Sequence, residues 1–150
     1  MQLTYLIKGL SLTPDLAHRI VSRVPEAHYD EKRDPARFSF REAVAHLADW
    51  ESINLERLRK AVNAPGSTLQ GLDEGQVAID HDYASKHPIA EVGQFATRRA
   101  ETIDFLKSLA DEDWSKEAVH SERGRQSVYE LATSILGHDV VHLEQFSQYL

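Results

Sequence analysis

The chain has 150 residues, which is enough for one domain with its own core. Its formal net charge of −7 disfavours a nucleic-acid partner, because an acidic surface repels phosphates. Apolar residues make up 41% and charged residues 27%, as in ordinary globular proteins, and no stretch is apolar enough to span a membrane. The lack of cysteine excludes disulfides, thiolate nucleophiles and zinc fingers, so a transition-metal site would be built from histidine with aspartate or glutamate.

The N-terminal part of the chain has the pattern of a helix. Its first five residues lack the basic region of a signal peptide, so we expect a cytoplasmic protein. Apolar side chains keep helical spacing from Leu3 onwards, but Thr13-Pro14 has the pattern of an N-cap followed by proline at the first helical position. We therefore expect helix 1 to be kinked near residue 13 or split in two. A loop over residues 25–38 follows.

Helix 2 has a clear predicted start and end. Ser39 and Glu42 match a capping box, in which each side chain binds the backbone N–H of the other residue. Pro65 and Gly66 stop the helix. The polar connection from Gly66 to His87 spans about 22 residues, which is long for a compact domain. The inward-facing stripe of helix 2 comprises Phe40, Ala43, Val44, Leu47, Trp50, Asn54, Leu58 and Val62.

Two further helices complete the pattern. Helix 3 begins at Pro88 and is broken at residues 111–114, and the stretch up to Gln126 is predicted to be a loop. Helix 4 begins at a second capping box, formed by Ser127 and Glu130. Its inward stripe comprises Val128, Leu131, Ala132, Ile135, His138, His142, Phe146 and Tyr149.

Four long amphipathic segments without a strand signal predict an all-α protein, a four-helix bundle that forms one domain over residues 1–150. The shorter links should make helices 1 and 2, and likewise helices 3 and 4, antiparallel neighbours. The long connection can run back along the bundle, which makes helices 2 and 3 parallel. The predicted topology is therefore up-down-down-up.

His138 and His142 lie four residues apart on the inward stripe of helix 4. Residues at this spacing have Cβ atoms roughly 5–6 Å apart, so their imidazoles can share one metal ion. His46 lies about 10 Å along helix 2 from its start, and His142 lies about 12 Å from the end of helix 4. Because these helices are expected to be antiparallel, a three-histidine site is geometrically permitted.

Other interpretations of these residues stay open. Histidine pairs at this spacing are common by chance, and buried histidines can also be core residues held by hydrogen bonds. Three further histidines fall at the same end of the bundle and could line the mouth of the site: His28, His81 and His87. Carboxylates often orient ligating histidines, yet we expect solvated salt bridges for the three nearby acidic residues, Glu51, Asp139 and Glu144.

Four stretches of the chain resemble the DinB/YfiT-like family of metalloenzymes, namely residues 38–51, 95–99, 109–114 and 137–146. The resemblance covers about residues 38–150, and helix 1 only by its pattern. It implies an up-down-down-up bundle, frequent homodimers and a divalent metal ion on three histidines. The matching positions of this sequence are His46, His138 and His142. Activities known in related proteins include thiol-dependent S-transfer, maleylpyruvate isomerisation and hydrolysis, and many members have no known activity.

The leading hypothesis is a metal-dependent enzyme, a thiol S-transferase or a hydrolase, which acts on a small-molecule substrate and could use a low-molecular-weight thiol. Three imidazoles would leave Zn²⁺ or Ni²⁺ with open coordination positions. The candidate acid/base assistants are Glu51, Tyr29 and Tyr83. The alternative is a non-catalytic bundle whose metal site or buried histidines only stabilise the fold or a dimer.

Overall fold

The computed structural model describes residues 3–150 and contains four long helices, a short helix and a small sheet. Met1 and Gln2, which belong to the stretch that predicts a cytoplasmic protein, lie outside the described residues. Within residues 3–150 no helix combines the length and the apolarity that crossing a membrane requires. The helices are α1 (Leu3–Val21), α2 (Phe40–Asn63), α3 (Glu74–Asp80), α4 (Pro88–Lys107) and α5 (Val128–Ser147).

The two predicted capping boxes are confirmed. The Ser39 hydroxyl accepts a hydrogen bond from the Glu42 N–H at 3.2 Å, and the Glu42 carboxylate accepts one from the Ser39 N–H at 2.8 Å. Ser127 and Glu130 make the same reciprocal pair at 3.1 and 2.8 Å. Each pair satisfies two backbone donors that a first helical turn leaves free, so the starts of α2 and α5 are fixed locally.

Helix α1 is not split at Thr13-Pro14 but runs unbroken through the proline. Pro14 has no N–H, so the carbonyl oxygen of Leu10 loses its usual partner within the helix. Nη1 of Arg99, on α4, donates to this oxygen at 3.0 Å, and the Thr13 hydroxyl lies 3.3 Å from it. These side chains replace the missing helical hydrogen bond, which explains why α1 can continue past Pro14.

The long helices run up-down-down-up, as predicted, but their neighbours differ from the prediction. Both α1 and α2 pack between α4 and α5, so α1 and α2 lie across the diagonal of the bundle, as do α4 and α5. The prediction that these consecutive pairs would be neighbours is wrong. The links over residues 22–39 and 108–127 are long enough to cross an end of the bundle diagonally.

The links contain more regular structure than the sequence predicts. Strands β2 (Glu117–His120) and β3 (Gly124–Ser127) form an antiparallel hairpin, and β1 (Thr68–Leu69) pairs with β2 in parallel. The prediction of a loop up to Gln126, with no strand, is therefore wrong. Strands of two and four residues are too short to produce a recognisable alternating pattern. The sheet is small, and the fold is a helical bundle.

The core contains two large apolar clusters with a buried polar layer between them, and a third, small cluster comprises Ala45, Ala78 and Tyr83. The first cluster includes Leu6, Leu10, Leu58, Ile103, Leu106, Leu131 and Ile135. The second includes Val21, Phe40, Leu47, Val92, Phe95 and Phe146. The layer between them, which we call the Arg99 network, comprises Thr13, Glu51, Arg99, Thr102 and Asp139, and each member is at most 4% exposed.

Arg99 makes a bidentate ion pair with each of two carboxylates. It donates to Glu51 at 2.7 and 2.7 Å and to Asp139 at 2.6 and 2.9 Å. The Thr102 hydroxyl donates to Glu51 at 2.6 Å, and the Thr13 hydroxyl donates to Asp139 at 2.5 Å. Burial by itself would lower the pKa of Arg99, but the hydrogen bonds to both carboxylates raise it, so the guanidinium stays charged. All four long helices meet in this network.

We predict that Arg99→Ala lowers the free energy of unfolding by about 3–5 kcal/mol, because it leaves two buried carboxylates without a cation. Urea denaturation followed by circular dichroism measures the change. Arg19→Ala, on the exposed surface of α1, is the control and should change stability by no more than about 0.5 kcal/mol. A loss of less than about 1 kcal/mol for Arg99→Ala would contradict the role assigned to the network.

Candidate metal centre

Three histidines from α2 and α5 meet on one side of the bundle, and they are the three that the sequence predicts. Nε2 of His46 lies 3.0 Å from Nε2 of His138, which in turn lies 3.2 Å from Nε2 of His142. One nitrogen from each ring can be chosen so that all three lie within 4.8 Å of one another. The antiparallel packing of α2 against α5 brings the two sequence-distant parts of the site to the same level.

The three nitrogens cannot all satisfy one another by hydrogen bonds. Nε2 of His138 faces two neighbours, but its single N–H or single lone pair can serve only one of them. Two nitrogen ligands of a tetrahedral zinc ion, each about 2.0–2.1 Å from the metal, lie about 3.3 Å apart. The observed separations of 3.0 and 3.2 Å are close to that value. The donor set therefore fits a divalent metal ion.

All three imidazoles are held in the neutral form that binds metal ions. Burial lowers the pKa of His46 to about 2, with further contributions from the neighbouring His142 and His138. Burial also lowers the pKa of His138 to about 4, helped by the charge of Arg99. For His142, burial and then His138 lower the pKa to about 4. At neutral pH no proton competes for the converging nitrogens.

Gln145 orients one of the three rings. Its Oε1 lies 2.8 Å from Nδ1 of His142, one turn earlier on α5. An amide oxygen can only accept a hydrogen bond, so Nδ1 carries the proton and Nε2 presents its lone pair to the site. Gln145 is not among the residues predicted for the site, although its spacing of three residues from His142 on one helix indicates that the two side chains can meet.

The ring of His46 is enclosed by aromatic side chains. Its centroid lies 4.8 Å from that of Trp50 and 5.3 Å from that of Phe38, and the residue is 1% exposed. The buried Nδ1 of His46 has no hydrogen-bond partner among residues 3–150. These contacts fix the ring by packing and keep water away from its outer side.

The three histidines line a cavity of about 780 Å³ that opens to solvent. Its walls come from the loop before α2, from α3 and the residues after it, and from α5. Apolar lining residues are Phe38, Ala78, Ile79 and Val141, and charged ones are Lys32, Arg37, Glu42, Glu74 and Asp82. The long connection between α2 and α4 thus forms one wall of the site.

The three predicted acid/base assistants do not line this cavity in the described structure. The Tyr83 hydroxyl donates to Asp49 at 2.6 Å, and its ring centroid lies 6.4 Å from that of His46. Tyr29 stacks on Phe40 with centroids 5.6 Å apart. Glu51 is only 2% exposed, because its carboxylate pairs with Arg99 in the core of the bundle.

The surrounding histidines and carboxylates also differ from expectation. His28 pairs with Glu31 at 2.6 Å, and His81 pairs with Asp49 at 2.7 Å. Neither histidine lines the cavity. His87, which precedes α4, does not line it either. The expectation of solvated salt bridges is wrong for Glu51 and Asp139, which are buried around Arg99. Glu144 is exposed and accepts hydrogen bonds from Gln148.

Solved proteins of known structure share this fold, and two of them are YfiT and a maleylpyruvate isomerase. YfiT from Bacillus subtilis, described as a probable metal-dependent hydrolase with an unusual four-helix bundle topology, matches with a TM-score of 0.87 and 16% identity. The match covers 98% of this chain and 86% of YfiT. A mycothiol-dependent maleylpyruvate isomerase matches with a TM-score of 0.78 and 14% identity, over 96% of this chain and 60% of the isomerase. A histidine-to-alanine mutant of that isomerase matches equally, at 13% identity.

At identities this low, these likenesses establish the fold alone. No curated protein matches the chain. The sequence profile of the DinB superfamily, in contrast, matches residues 10–146, which run from within α1 almost to the end of α5 and include the three histidines. The chain therefore belongs to the DinB superfamily.

Proposed function

We propose that this protein is a divalent-metal-dependent enzyme that acts on a small molecule, either as a hydrolase or as a transferase that uses a low-molecular-weight thiol. The observation that carries the proposal is the convergence of three neutral imidazole nitrogens on a cavity of about 780 Å³. Metal sites that only stabilise a fold are usually closed by a fourth protein ligand, whereas catalytic sites keep an open position. Within the described residues the cluster comprises three ligands.

His46, His138 and His142 would hold the metal ion, and imidazole ligands suit Zn²⁺ or Ni²⁺. A divalent metal ion supplies Lewis-acid chemistry there, which activates water or a thiol as the nucleophile. Gln145 keeps the proton of His142 on Nδ1, away from the site. The descriptions of YfiT as a probable metal-dependent hydrolase and of the isomerase as mycothiol-dependent support these two kinds of nucleophile.

The cavity walls favour a small substrate with an apolar part. Ile79 lies on this wall and is 73% exposed, so its side chain offers apolar surface to a ligand in the cavity. Phe38 and Val141 add apolar surface. Asp82 adopts a left-handed backbone conformation with φ of 51°, and such positions cluster at functional sites. Its carboxylate is exposed and makes no hydrogen bond or ion pair among residues 3–150, so it is free to contact a substrate.

The cytoplasmic location and the homodimer stay predictions. A cytoplasmic location fits the use of a low-molecular-weight thiol, because thiols are kept reduced there. For a homodimer, exposed apolar side chains on α1 and α5, namely Tyr5, Leu12, Leu16 and Val140, offer a surface of suitable chemistry.

We predict that tag-free protein carries about one equivalent of a divalent metal ion, and that His138→Ala carries less than about 0.2 equivalents, because two imidazoles bind far more weakly than three. Elemental analysis after extensive dialysis measures both values. His28→Ala is the matched control, because this partly exposed histidine pairs with Glu31 away from the three-histidine cluster, and the variant should keep its metal. Equal metal contents in wild type and His138→Ala would exclude the three-histidine site.

We predict that Gln145→Leu weakens metal binding by about 10–100-fold, because Nδ1 of His142 loses the acceptor that fixes its tautomer. Competition with a chromogenic chelator measures the affinity. Gln148→Leu is the control and should leave the affinity unchanged, since among residues 3–150 the Gln148 side chain bonds only to the exposed Glu144. An unchanged affinity in Gln145→Leu would show that the hydrogen bond does not tune the ligand.

We predict that metal-loaded protein turns over at least one substrate in a panel of esters and amides, or one electrophile offered with a low-molecular-weight thiol. His138→Ala should lower the rate by about two orders of magnitude, as expected when a charge-stabilising group is lost. Dependence on thiol separates the transferase from the hydrolase. Full metal content without turnover, together with a large fall in Tm on chelation, would instead support the non-catalytic alternative.

A further inference from the structure

A second, smaller cavity lies between α2 and α5, and His138 lines both cavities. Its volume of about 60 Å³ corresponds to roughly two water molecules at about 30 Å³ each. Trp50, Asn54 and Arg57 of α2 line it from one side. Ser134 and His138 of α5 line it from the other, and Arg123, in the turn between β2 and β3, closes it.

Two arginines face this cavity without a carboxylate partner. Arg57 is half-buried and donates to the backbone carbonyl of Gln70 at 3.1 Å, and Arg123 is exposed. Neither forms an ion pair among residues 3–150. Burial lowers the pKa of Arg57, and the charge of Arg123 lowers it further, while Glu122 partly offsets them without reaching ion-pair distance. In a protein with a net charge of −7, two adjacent cations with no acid at ion-pair distance among the described residues need another explanation.

The turn that carries Arg123 is held in place from inside. Nδ1 of the buried His120 accepts the backbone N–H groups of Glu122 at 3.1 Å and Arg123 at 3.3 Å. Burial lowers the pKa of His120, and the charges of Arg123 and Arg57 lower it further, so the ring stays neutral and keeps accepting. The position of Arg123 beside Arg57 is therefore built into the hairpin.

Two neutral polar side chains also line the cavity, beside the apolar side chains of Leu131 and Ile135. The Asn54 amide and the Ser134 hydroxyl line the cavity, and neither side chain makes a hydrogen bond among the described residues. An amide and a hydroxyl both offer N–H or O–H donors, and two guanidinium groups offer donors in planar forks. The cavity thus presents donors and positive charge to a volume of a few heavy atoms.

We propose that this second cavity binds a small oxyanion, a carboxylate or a phosphate, between Arg57 and Arg123. Guanidinium groups bind both kinds of oxyanion bidentately, with hydrogen bonds about twice as strong as neutral ones. The oxyanion neutralises the repulsion between the two arginines and lies against His138 on the side away from the large cavity. Its binding does not depend on the proposed metal site, because neither arginine belongs to that site.

NMR titration tests the proposal, because Trp50 lines the cavity and the chain has only one other tryptophan. Tag-free protein is titrated with sodium acetate or sodium phosphate at constant ionic strength, and Trp114→Phe assigns the two indole N–H signals. We expect a saturable shift of the Trp50 signal, and the tighter of the two probes identifies the kind of oxyanion. The double variant Arg57→Gln/Arg123→Gln should bind at least about tenfold more weakly.

Arg59→Gln is the matched control, since it removes the same charge from α2 outside the cavity, and should leave the affinity unchanged. An unchanged affinity in the double variant would place the anion elsewhere and overturn the proposal, as would a shift that does not saturate. The metal-free protein should respond like the metal-loaded one. Binding that disappears on chelation would assign the anion to the three histidines instead, which also overturns it.

Thermal stability separates ligand binding from a structural role of Arg123. In anion-free buffer, Arg123→Gln should leave Tm unchanged or raise it, because the variant relieves the repulsion of Arg57. The Tm of the wild type should rise when the tighter-binding anion is added, and the Tm of Arg123→Gln should not rise. A fall in Tm of the variant that is the same with and without anion would show that Arg123 only stabilises the hairpin.

Discussion

The buried guanidinium of Arg99 connects the fold to the site. It replaces the hydrogen bond that Pro14 removes from α1, pairs with Glu51 on α2 and pairs with Asp139 on α5. Asp139 directly follows His138, and Glu51 lies little more than one turn after His46, so one side chain fixes the rotation of both histidine-bearing helices. Because a buried charge without its partner costs several kcal/mol, a rotation of either helix away from this arrangement is disfavoured. The geometry of the candidate metal centre therefore depends on a residue outside it.

The site has a consistent physical design. Burial holds three imidazoles neutral, aromatic packing and the Gln145 amide fix ring orientations, and the long connection builds an open cavity in front of them. His138 lies at the boundary of this cavity and of the smaller, basic one between α2 and α5. An oxyanion in the basic cavity would lie on the side of His138 away from the candidate metal centre, and neither arginine that would bind it belongs to that centre.

Features with a local origin could be predicted from the sequence. Both capping boxes, the up-down-down-up order and the shared level of His46 with His142 follow from nearby residues and helix geometry. Features that depend on contacts between distant residues could not. The residues that flank Arg99 in the sequence do not indicate that it binds Glu51 and Asp139. The sequence therefore predicts solvated salt bridges for these two carboxylates. The diagonal placement of consecutive helices follows from how four stripes pack together, and the short hairpin carries too few residues for a pattern.

The central claim is that three imidazole nitrogens hold a divalent metal ion in an open site. X-ray absorption spectroscopy at the edge of the metal found in tag-free protein measures this most directly. We predict three imidazole nitrogens at about 2.0–2.1 Å, with the rest of the first coordination sphere made of light, exchangeable ligands, and loss of one imidazole in His142→Ala. A coordination sphere without histidine, or one that His142→Ala leaves unchanged, would contradict the account.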